Sequence, residues 1–466
     1  MKEKEKIVHI RHRKPFMIPA IVFLTGIAAA QIAKNTFDSL LAYLPATCLI
    51  CALLCIGCYL LFLQLPRYAT IRFGRVHYVL ALCALFFTGA WNLLYQNEYK
   101  ITAHTDTLTA LYAKVERISP TKNGKYVRIS CKTIAFTHHQ KTLPCKQPIF
   151  IYLPVQQYDT TLQAGSHIFT AVQVDPLAKP PTAFITRSTC FAHTPSPPSF
   201  FATLNQKLRT HLKENIRNPR SYALLSGLSI GNKDDFDAEL KSAYSSSGAM
   251  HVLAVSGLHV GIIYAFLRFF FDLLIPGNNR KRHIFKQLLI LTGLASFAAI
   301  AGFSASVTRA LLMTVLLTFG RIIRRPIHTH QTLFATALLI CAVNPLALFE
   351  VGFQLSFSAV FAIITLQPVI QNVFKPKNKP LRYIWSLSTV SVAAQAGTFP
   401  LTLYYFGSFP YLFLLTNLWV IPLTGILICL LCIWLLLGQI PYIGPALLWL
   451  LAQLAQIMNQ GVLLLA

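Results

Sequence analysis

Apolar positions in this 466-residue chain gather into long runs, and several reach the 18 or more residues needed to cross a hydrocarbon core. Three come first, near 16–33, 44–65 and 76–96. Eight more follow, at 250–275, 287–302, 305–323, 331–349, 351–371, 383–406, 410–437 and 441–466. The pattern predicts a polytopic α-helical membrane protein of about 11 apolar segments. Some runs meet at Gly302-Phe-Ser and at Glu350 with almost no loop, and Pro345, Pro368, Pro400, Pro422 and Pro445 interrupt others. Broken or re-entrant segments are therefore expected, because such backbone survives at membrane depth only where protein or water lines it.

Between the two groups the period changes. Leu108–Ile118, Tyr126–Phe136, Pro148–Leu153 and His167–Val174 are short runs rich in β-branched and aromatic residues. Lys122-Asn-Gly-Lys125 supplies the positive φ angles of a type I′ hairpin turn. An inserted small all-β domain is expected over 97–198, an oligonucleotide-binding (OB)-like barrel. Pro195-Ser-Pro-Pro198 reads as a linker. Beyond it, Phe200, Phe201, Leu204, Leu208, Leu212 and Ile216 form a helical stripe opposed by Lys207, Arg209, Lys213 and Arg217, the pattern of a helix lying in a membrane surface. Two short helices, Ala223–Ile230 and Asp235–Tyr244, complete an interfacial section over 199–249. The domains are thus 1–96 (three spans), 97–198 (β domain), 199–249 (interfacial helices) and 250–466 (transmembrane domain).

The net charge of +26 invites a nucleic-acid ligand, but much of it has another cause. Alternate short loops hold six Lys and Arg before residue 15, three in Arg67–Arg75, four in Arg280–Lys286, three in Arg321–Arg325 and four in Lys375–Arg382. The opposite loops hold only Lys34, and 20 against one is a positive-inside pattern. It predicts a cytoplasmic N-terminus and, after three spans, an extracytoplasmic β domain. The first run follows six basic residues with no small-residue cleavage site, which reads as an anchor rather than a cleaved signal.

The transmembrane domain opens on Met250-His-Val-Leu-Ala-Val-Ser-Gly-Leu-His-Val-Gly261, which sets His251 and His259 in an apolar span. Ala254, Gly257, Gly261 and Ala265 share a helix face, and Gly257 with Gly261 makes a Gly-xxx-Gly pair suited to close helix packing. A packing seam with interfacial histidines and a polar site in lipid both fit this stretch. The run resembles the signature of ComEC-type competence proteins, inner-membrane channels that admit DNA during natural transformation. Three later stretches are similar in the same order: Gly302-Phe-Ser-Ala-Ser-Val-Thr-Arg309-Ala, Asn344-Pro-Leu-Ala-Leu-Phe-Glu350-Val-Gly-Phe-Gln354-Leu-Ser-Phe-Ser, and Phe399-Pro-Leu-Thr-Leu-Tyr-Tyr-Phe-Gly407. The resemblance covers 220–430 closely and 100–190 loosely. It implies an OB-like domain, a bacterial cytoplasmic-membrane location, a periplasmic DNA receptor and a cytoplasmic helicase or ATPase motor as partners.

Loop polarity sets His251, His259, Arg309 and Glu350 toward the outer half of the membrane. An Arg inside an apolar run costs roughly 2.5–3.5 kcal/mol unless paired or hydrated. Glu350 is the only acid between Asp272 and the C-terminus, so an Arg309–Glu350 contact is expected. It would stand either at the mouth of a hydrated path lined by His251, Ser256, Gly257, His259, Gln354, Ser356 and Gln395, or as a structural bridge between helices. In the β domain, basic groups beside stacking aromatics suit a single strand. The candidates are Lys114, Arg117, Lys122, Lys125, Arg128 and Lys132 with Tyr112, Tyr126, Phe136 and Tyr152. The domain's 11 basic against five acidic residues fit a solvated basic face as well. Cys131 and Cys145 lie symmetrically about residue 138, and a hairpin centred there would set them face to face as a disulfide.

Enzymatic chemistry is not expected. Ser256 and His259 share a helix face, but no nearby acid orients the imidazole. Gly227-Leu-Ser-Ile-Gly-Asn-Lys233 has the wrong glycine spacing for a phosphate loop. Cys48, Cys51, Cys55 and Cys58 line one helix face without a His or carboxylate, which reads as core packing rather than a metal site. Many relatives continue into a metallo-β-lactamase-like nuclease. His328-Thr-His330-Gln-Thr lacks the aspartate of such a motif and the chain ends in an apolar run, so either the chain is cut short or a separate nuclease is a further partner. No cofactor and no metal are implied. The reading is a channel for single-stranded DNA in contact with membrane lipid. The alternative is a secondary transporter of a small anionic solute, which internal inverted symmetry would favour.

Overall fold

A computed structural model of the chain describes residues 17–36, 44–63, 74–96, 200–232, 235–253, 255–277, 279–323 and 328–466, and most of the strands between 109 and 194 with some of their turns. It divides into two compact units, one formed by Met1–Tyr95 with Lys207–Ala466 and the other by Gln96–Gln206.

The first unit is helical. Three helices, α1 (Met17–Thr36), α2 (Leu44–Leu63) and α3 (Gly74–Gln96), match the first three apolar runs. After the β segment come α4 (Phe200–Asn215), α5 (Pro219–Ile230) and α6 (Ala238–Ser246). Eight helices follow: α7 (Gly257–Leu274), α8 (Arg280–Ile300), α9 (Ala305–Ile322), α10 (Thr329–Val343), α11 (Val351–Val373), α12 (Lys379–Phe406), α13 (Phe413–Leu437) and α14 (Ile443–Leu464). Six of them (α7, α8, α9, α11, α13 and α14) are long and apolar enough to cross a membrane, and shorter apolar stretches lie in α1, α2, α3 and α10.

The expected breaks fall at two places only among the described residues. A tight turn at Gly302–Phe303, both at positive φ, separates α8 from α9, and a 3-10 turn, Pro345–Phe349, separates α10 from α11. Pro368, Pro400 and Pro422 lie inside continuous helices, where neighbouring helices tolerate the lost backbone bond.

Helix α5 departs from the interfacial expectation. Asn218 caps α5 by accepting from the Arg220 and Ser221 amides, Pro219 opens the first turn, and Gly231 closes the helix at φ +74°. Every residue from Ser221 to Leu228 is buried. The enclosing side chains come from α13 and α14 and include Val420, Leu427, Trp434, Leu451 and Met458. The α4 segment keeps the two-faced character read from the sequence, with Leu212 and Ile216 in that core and Lys213 and Arg217 exposed. Helix α6 is two-faced too, with Leu240, Ala243 and Tyr244 buried and Glu239, Ser242 and Ser245 exposed. Salt bridges join the section: Arg209 to Asp235 at 3.0 Å, and Arg220 to Asp237 at 2.9 Å and Glu239 at 2.5 Å.

The second unit is an eight-stranded sheet: β1 (Thr109–Pro120), β2 (Tyr126–His138), β3 (Lys141–Pro144), β4 (Pro148–Pro154), β5 (His167–Val172), β6 (Val174–Asp175), β7 (Thr182–Phe184) and β8 (Phe191–Thr194). Its order is β6-β7-β4-β2-β1-β5-β8, with β3 beside β2. All pairings are antiparallel except β4 with β7. Among the described residues this path is open, a half-barrel rather than a closed one. Register shifts in β1 after Tyr112 and Val115 add the local twist that curves such a sheet. One face is the core, with Leu111, Val115, Ile129, Ile149, Ile151 and Ile168.

The ladder corrects the expected cysteine pairing. The β2–β3 hairpin pairs His138 with Lys141, so its centre lies beyond residue 138, and Ile149 of β4 stands opposite Cys131. Cys131 is a free thiol, 1% exposed within the core face. Cys145 lies outside the described residues.

Candidate functional site

The signature stretch folds as a helix start. A 3-10 turn, Met250–Val252, precedes α7, whose N-cap is Ser256. The Ser256 amide donates to His259 Nδ1 at 3.1 Å, and the Ser256 hydroxyl lies 2.7 Å from the same nitrogen. His259 thus closes a capping box in the place usually taken by Glu or Gln. Because Nδ1 accepts, the proton of the neutral ring sits on Nε2, which is buried with no partner among the described residues. Among the described residues no acid bonds to the imidazole, and the Ser–His contact has the geometry of a helix cap. His251 is exposed and donates from Nδ1 to the Gly248 carbonyl at 3.2 Å. Ala254 lies outside the described residues.

The glycine seam is not formed. A side chain at Gly261 would meet nothing within 4 Å, and one at Gly257 would reach only Ala310, at 3.7 Å. That single approach brings the first turn of α7 against the second turn of α9. Arg309, in the second turn of α9, is 3% exposed. It donates to Ser306 Oγ at 2.9 Å and lies over the Phe357 ring of α11, 6.0 Å from its centroid. Its Nε has no partner among the described residues. Glu350, the N-cap of α11, is near enough for its charge to act on Arg309 but makes no ion pair with it. The guanidinium is therefore held by a hydroxyl and an aromatic face rather than by the expected carboxylate.

Further along α11, Gln354 donates to the Leu348 carbonyl at 3.1 Å and accepts from the Tyr405 hydroxyl of α12 at 2.8 Å. Ser358, one turn on, donates to the Gly397 carbonyl, and a Cβ at Gly397 would run into the Ser358 backbone. Ser356 and Gln395 are half-buried on α11 and α12. The start of α9 thus lies against the start of α7 on one side and the second turn of α11 on the other, presenting two orphaned buried donors beside helix N-termini. Such a cluster favours negative or strongly polar guests. Ser306, Phe357 and Tyr405 escaped the sequence reading. All three lie in the quoted stretches, and Ser306 is one turn before Arg309, a spacing that could have flagged it.

In the β unit, Lys114 and Lys125 are exposed, Tyr126 is 38% exposed, and Arg128 lies 5.2 Å from the Phe150 ring centroid. Arg117 stands opposite Ser130 in the ladder, and Lys122 lies outside the described residues. Lys132 and Tyr112 share the outer face with Lys114, Tyr126 and Arg128. Phe136 does not: it is 3% exposed and belongs to the core.

A family model described as Competence protein matches residues 228–466, just over half of the chain. The chain belongs to this family. The match takes in α5 onward except for its first residues, with the whole cluster at the starts of α7, α9 and α11, and leaves out the β unit. ComE operon protein 3 of Bacillus subtilis is 30% identical over 230 residues, 49% of this chain and 28% of that protein. Recombination protein 2 of Haemophilus influenzae is 27% identical over 237 residues, 49% of this chain and 30% of that protein. Competence protein ComA of Neisseria gonorrhoeae is 28% identical over 145 residues, 30% of this chain and 21% of that protein. The chain spans less than a third of the length of these relatives. No solved structure matches it. Six long apolar helices in a competence-family chain make it a multi-pass membrane protein.

Proposed function

We propose that the chain forms the path by which one strand of DNA crosses the bacterial cytoplasmic membrane during natural transformation. The observation that carries this reading is the family match over the helical unit that holds Arg309, His259 and Gln354. A polyanion in transit needs cationic or dipolar partners, yet strong fixed sites would trap it. Orphaned donors and helix N-termini beside neutral amides and hydroxyls attract without clamping. The pattern of basic loops supports a cytoplasmic N-terminus and a β unit outside, where its basic, aromatic face would meet the strand first. A receptor outside and a motor inside are the partners such a path requires. The chain acts here as a conduit and not as an enzyme.

Deletion followed by uptake of labelled DNA tests the reading. Label should accumulate outside the membrane while the cytoplasmic, nuclease-protected signal disappears. Cytoplasmic label at the parental level, or equal loss of both signals, would overturn it.

A further inference from the structure

The ladder of the β unit places Lys132 of β2 directly opposite Lys114 of β1, and Lys114 directly opposite His167 of β5. All three alternate with buried residues (Cys131 and Thr133, Ala113 and Val115, Ser166 and Ile168), so all point away from the core. Neighbouring strands are about 4.8 Å apart, so the three form a row about 10 Å long running across the sheet. Like charges facing each other across a ladder destabilise it. No ion pair among the described residues neutralises either ammonium. The row is built for an anion that comes from elsewhere.

The next row supplies a different surface. Tyr112 pairs with Phe169, and their rings stack at 4.3 Å with planes 16° apart. The His167 ring continues the stack on Tyr112 at 5.4 Å and 24°. Phe169 ends it and keeps 45% of its surface exposed. Two residues along a strand span about 7 Å, so flat aromatic faces flank the cationic row at that distance. Ammonium groups tracking a backbone beside aromatic platforms are what an unpaired nucleic acid requires, since every base offers a face for stacking. A duplex cannot use the platform, because its bases already stack on each other.

We propose that Lys132, Lys114, His167, Tyr112 and Phe169 form a binding site for unpaired nucleic acid. The sugar–phosphate chain crosses β2, β1 and β5 along the lysine row, and a base lies on the free face of Phe169, which Tyr112 and His167 back as a stack. The site rests on the reading of the chain as a DNA importer and gives that strand a place and a direction on the β unit.

The test uses the full chain in nanodiscs of neutral phosphatidylcholine and a fluorescein-labelled 12-residue oligothymidine, followed by anisotropy. Phe169→Ala should weaken binding about ten-fold, and Phe169→Trp, which keeps a stacking face, should restore it. The double variant Lys114→Gln with Lys132→Gln should flatten the log–log salt dependence by about 1.4, two single-strand phosphate contacts at about 0.7 each. A duplex of equal length should bind more weakly and be indifferent to Phe169→Ala. Variants that bind like the wild type, a duplex bound as tightly, inorganic polyphosphate competing as well as oligothymidine, or no binding by the wild type would each overturn the site. Uptake by cells lacking the chain separates this from the wider reading. Full rescue by the sheet variants removes the site and leaves the importer, whereas a wild-type copy that rescues nothing removes the importer.

Discussion

The Tyr244 hydroxyl donates to Asn459 Oδ1 at 2.9 Å, deep inside the helical unit. Tyr244 is fully buried and Asn459 is 3% exposed. Asn459 Nδ2 donates in turn to the Arg220 carbonyl at 3.0 Å, so one amide on the last helix ties α5 and α6 to α14. Orphaning a buried partner costs about 1–3 kcal/mol in soluble proteins, and such bonds average about 0.6 kcal/mol within one membrane protein. Tyr244→Phe should lower the thermal midpoint in detergent slightly. Asn459→Ala should lower it further, because it strands both the hydroxyl and the carbonyl. Equal midpoints for Asn459→Ala and the wild type would show that the tie carries no weight.

Helices α1 and α3 touch backbone to backbone through two glycines. A Cβ at Gly26 would collide with the Phe86 carbonyl, and one at Gly89 with the Phe23 carbonyl. Forcing bulk into such a contact costs about 1–3 kcal/mol or more. Gly26→Leu and Gly89→Leu should therefore cut the yield of monodisperse protein in size-exclusion chromatography. Gly57→Leu is the control, since nothing lies within 4 Å of it. If all three variants elute alike, the contact is dispensable.

These glycines mark where sequence reading stops. Helix and strand extents were legible because lipid and a one-sided sheet core impose long apolar runs and strict alternation; β2 follows Tyr126–Phe136 closely. Which glycine meets a neighbour depends on helix rotation, which no local spacing fixes. Gly257 and Gly261 had the right interval but face the wrong way, whereas Gly26 and Gly89 share no motif. Arg309 was legible as an expensive charge. Its holders were not, because the nearest acid in an apolar sequence draws attention before Ser306 or Phe357. Cys145 was set opposite Cys131 by symmetry, and a hairpin centred farther along the chain moved the register.

The Cys131 thiol should be unreactive in the folded protein. Burial, with the Glu116 charge adding to it, raises it from near 9 to about 12. Iodoacetamide at pH 8.5 should leave Cys131 unmodified natively and modify it in urea. Recovery of Cys131 in a disulfide from unreduced protein would contradict the free thiol. The shift also has a sign for stability. Below pH 9 both states keep the proton and the contribution is complete. Between pH 9 and about 12 only the unfolded chain loses it, so stability falls as pH rises, by at most about 1.4 kcal/mol per pH unit. Urea midpoints of the β unit, read by subtilisin digestion, should drop between pH 8 and 10.5 more in the wild type than in Cys131→Ala. Parallel drops would assign the loss to other groups.

Arg309 separates transport from scaffolding. Its guanidinium is nearly inaccessible, donates to Ser306 Oγ, and makes no ion pair with Glu350. A buried charge so lightly partnered costs the fold more than it returns, and an apolar replacement of similar length relieves that cost. Arg309→Met should therefore fold with an unchanged or raised thermal midpoint while cytoplasmic DNA signal falls about ten-fold or more. Arg309→Lys should recover part of the uptake, since it restores charge without the planar fork. Reversing both charges, Arg309→Glu with Glu350→Arg, should not rescue, because no direct pair exists to be rebuilt. Full uptake by a well-folded Arg309→Met protein would take this residue out of the DNA path. Loss of both yield and uptake, repaired by the double reversal, would make the two charges a brace between α9 and α11 instead.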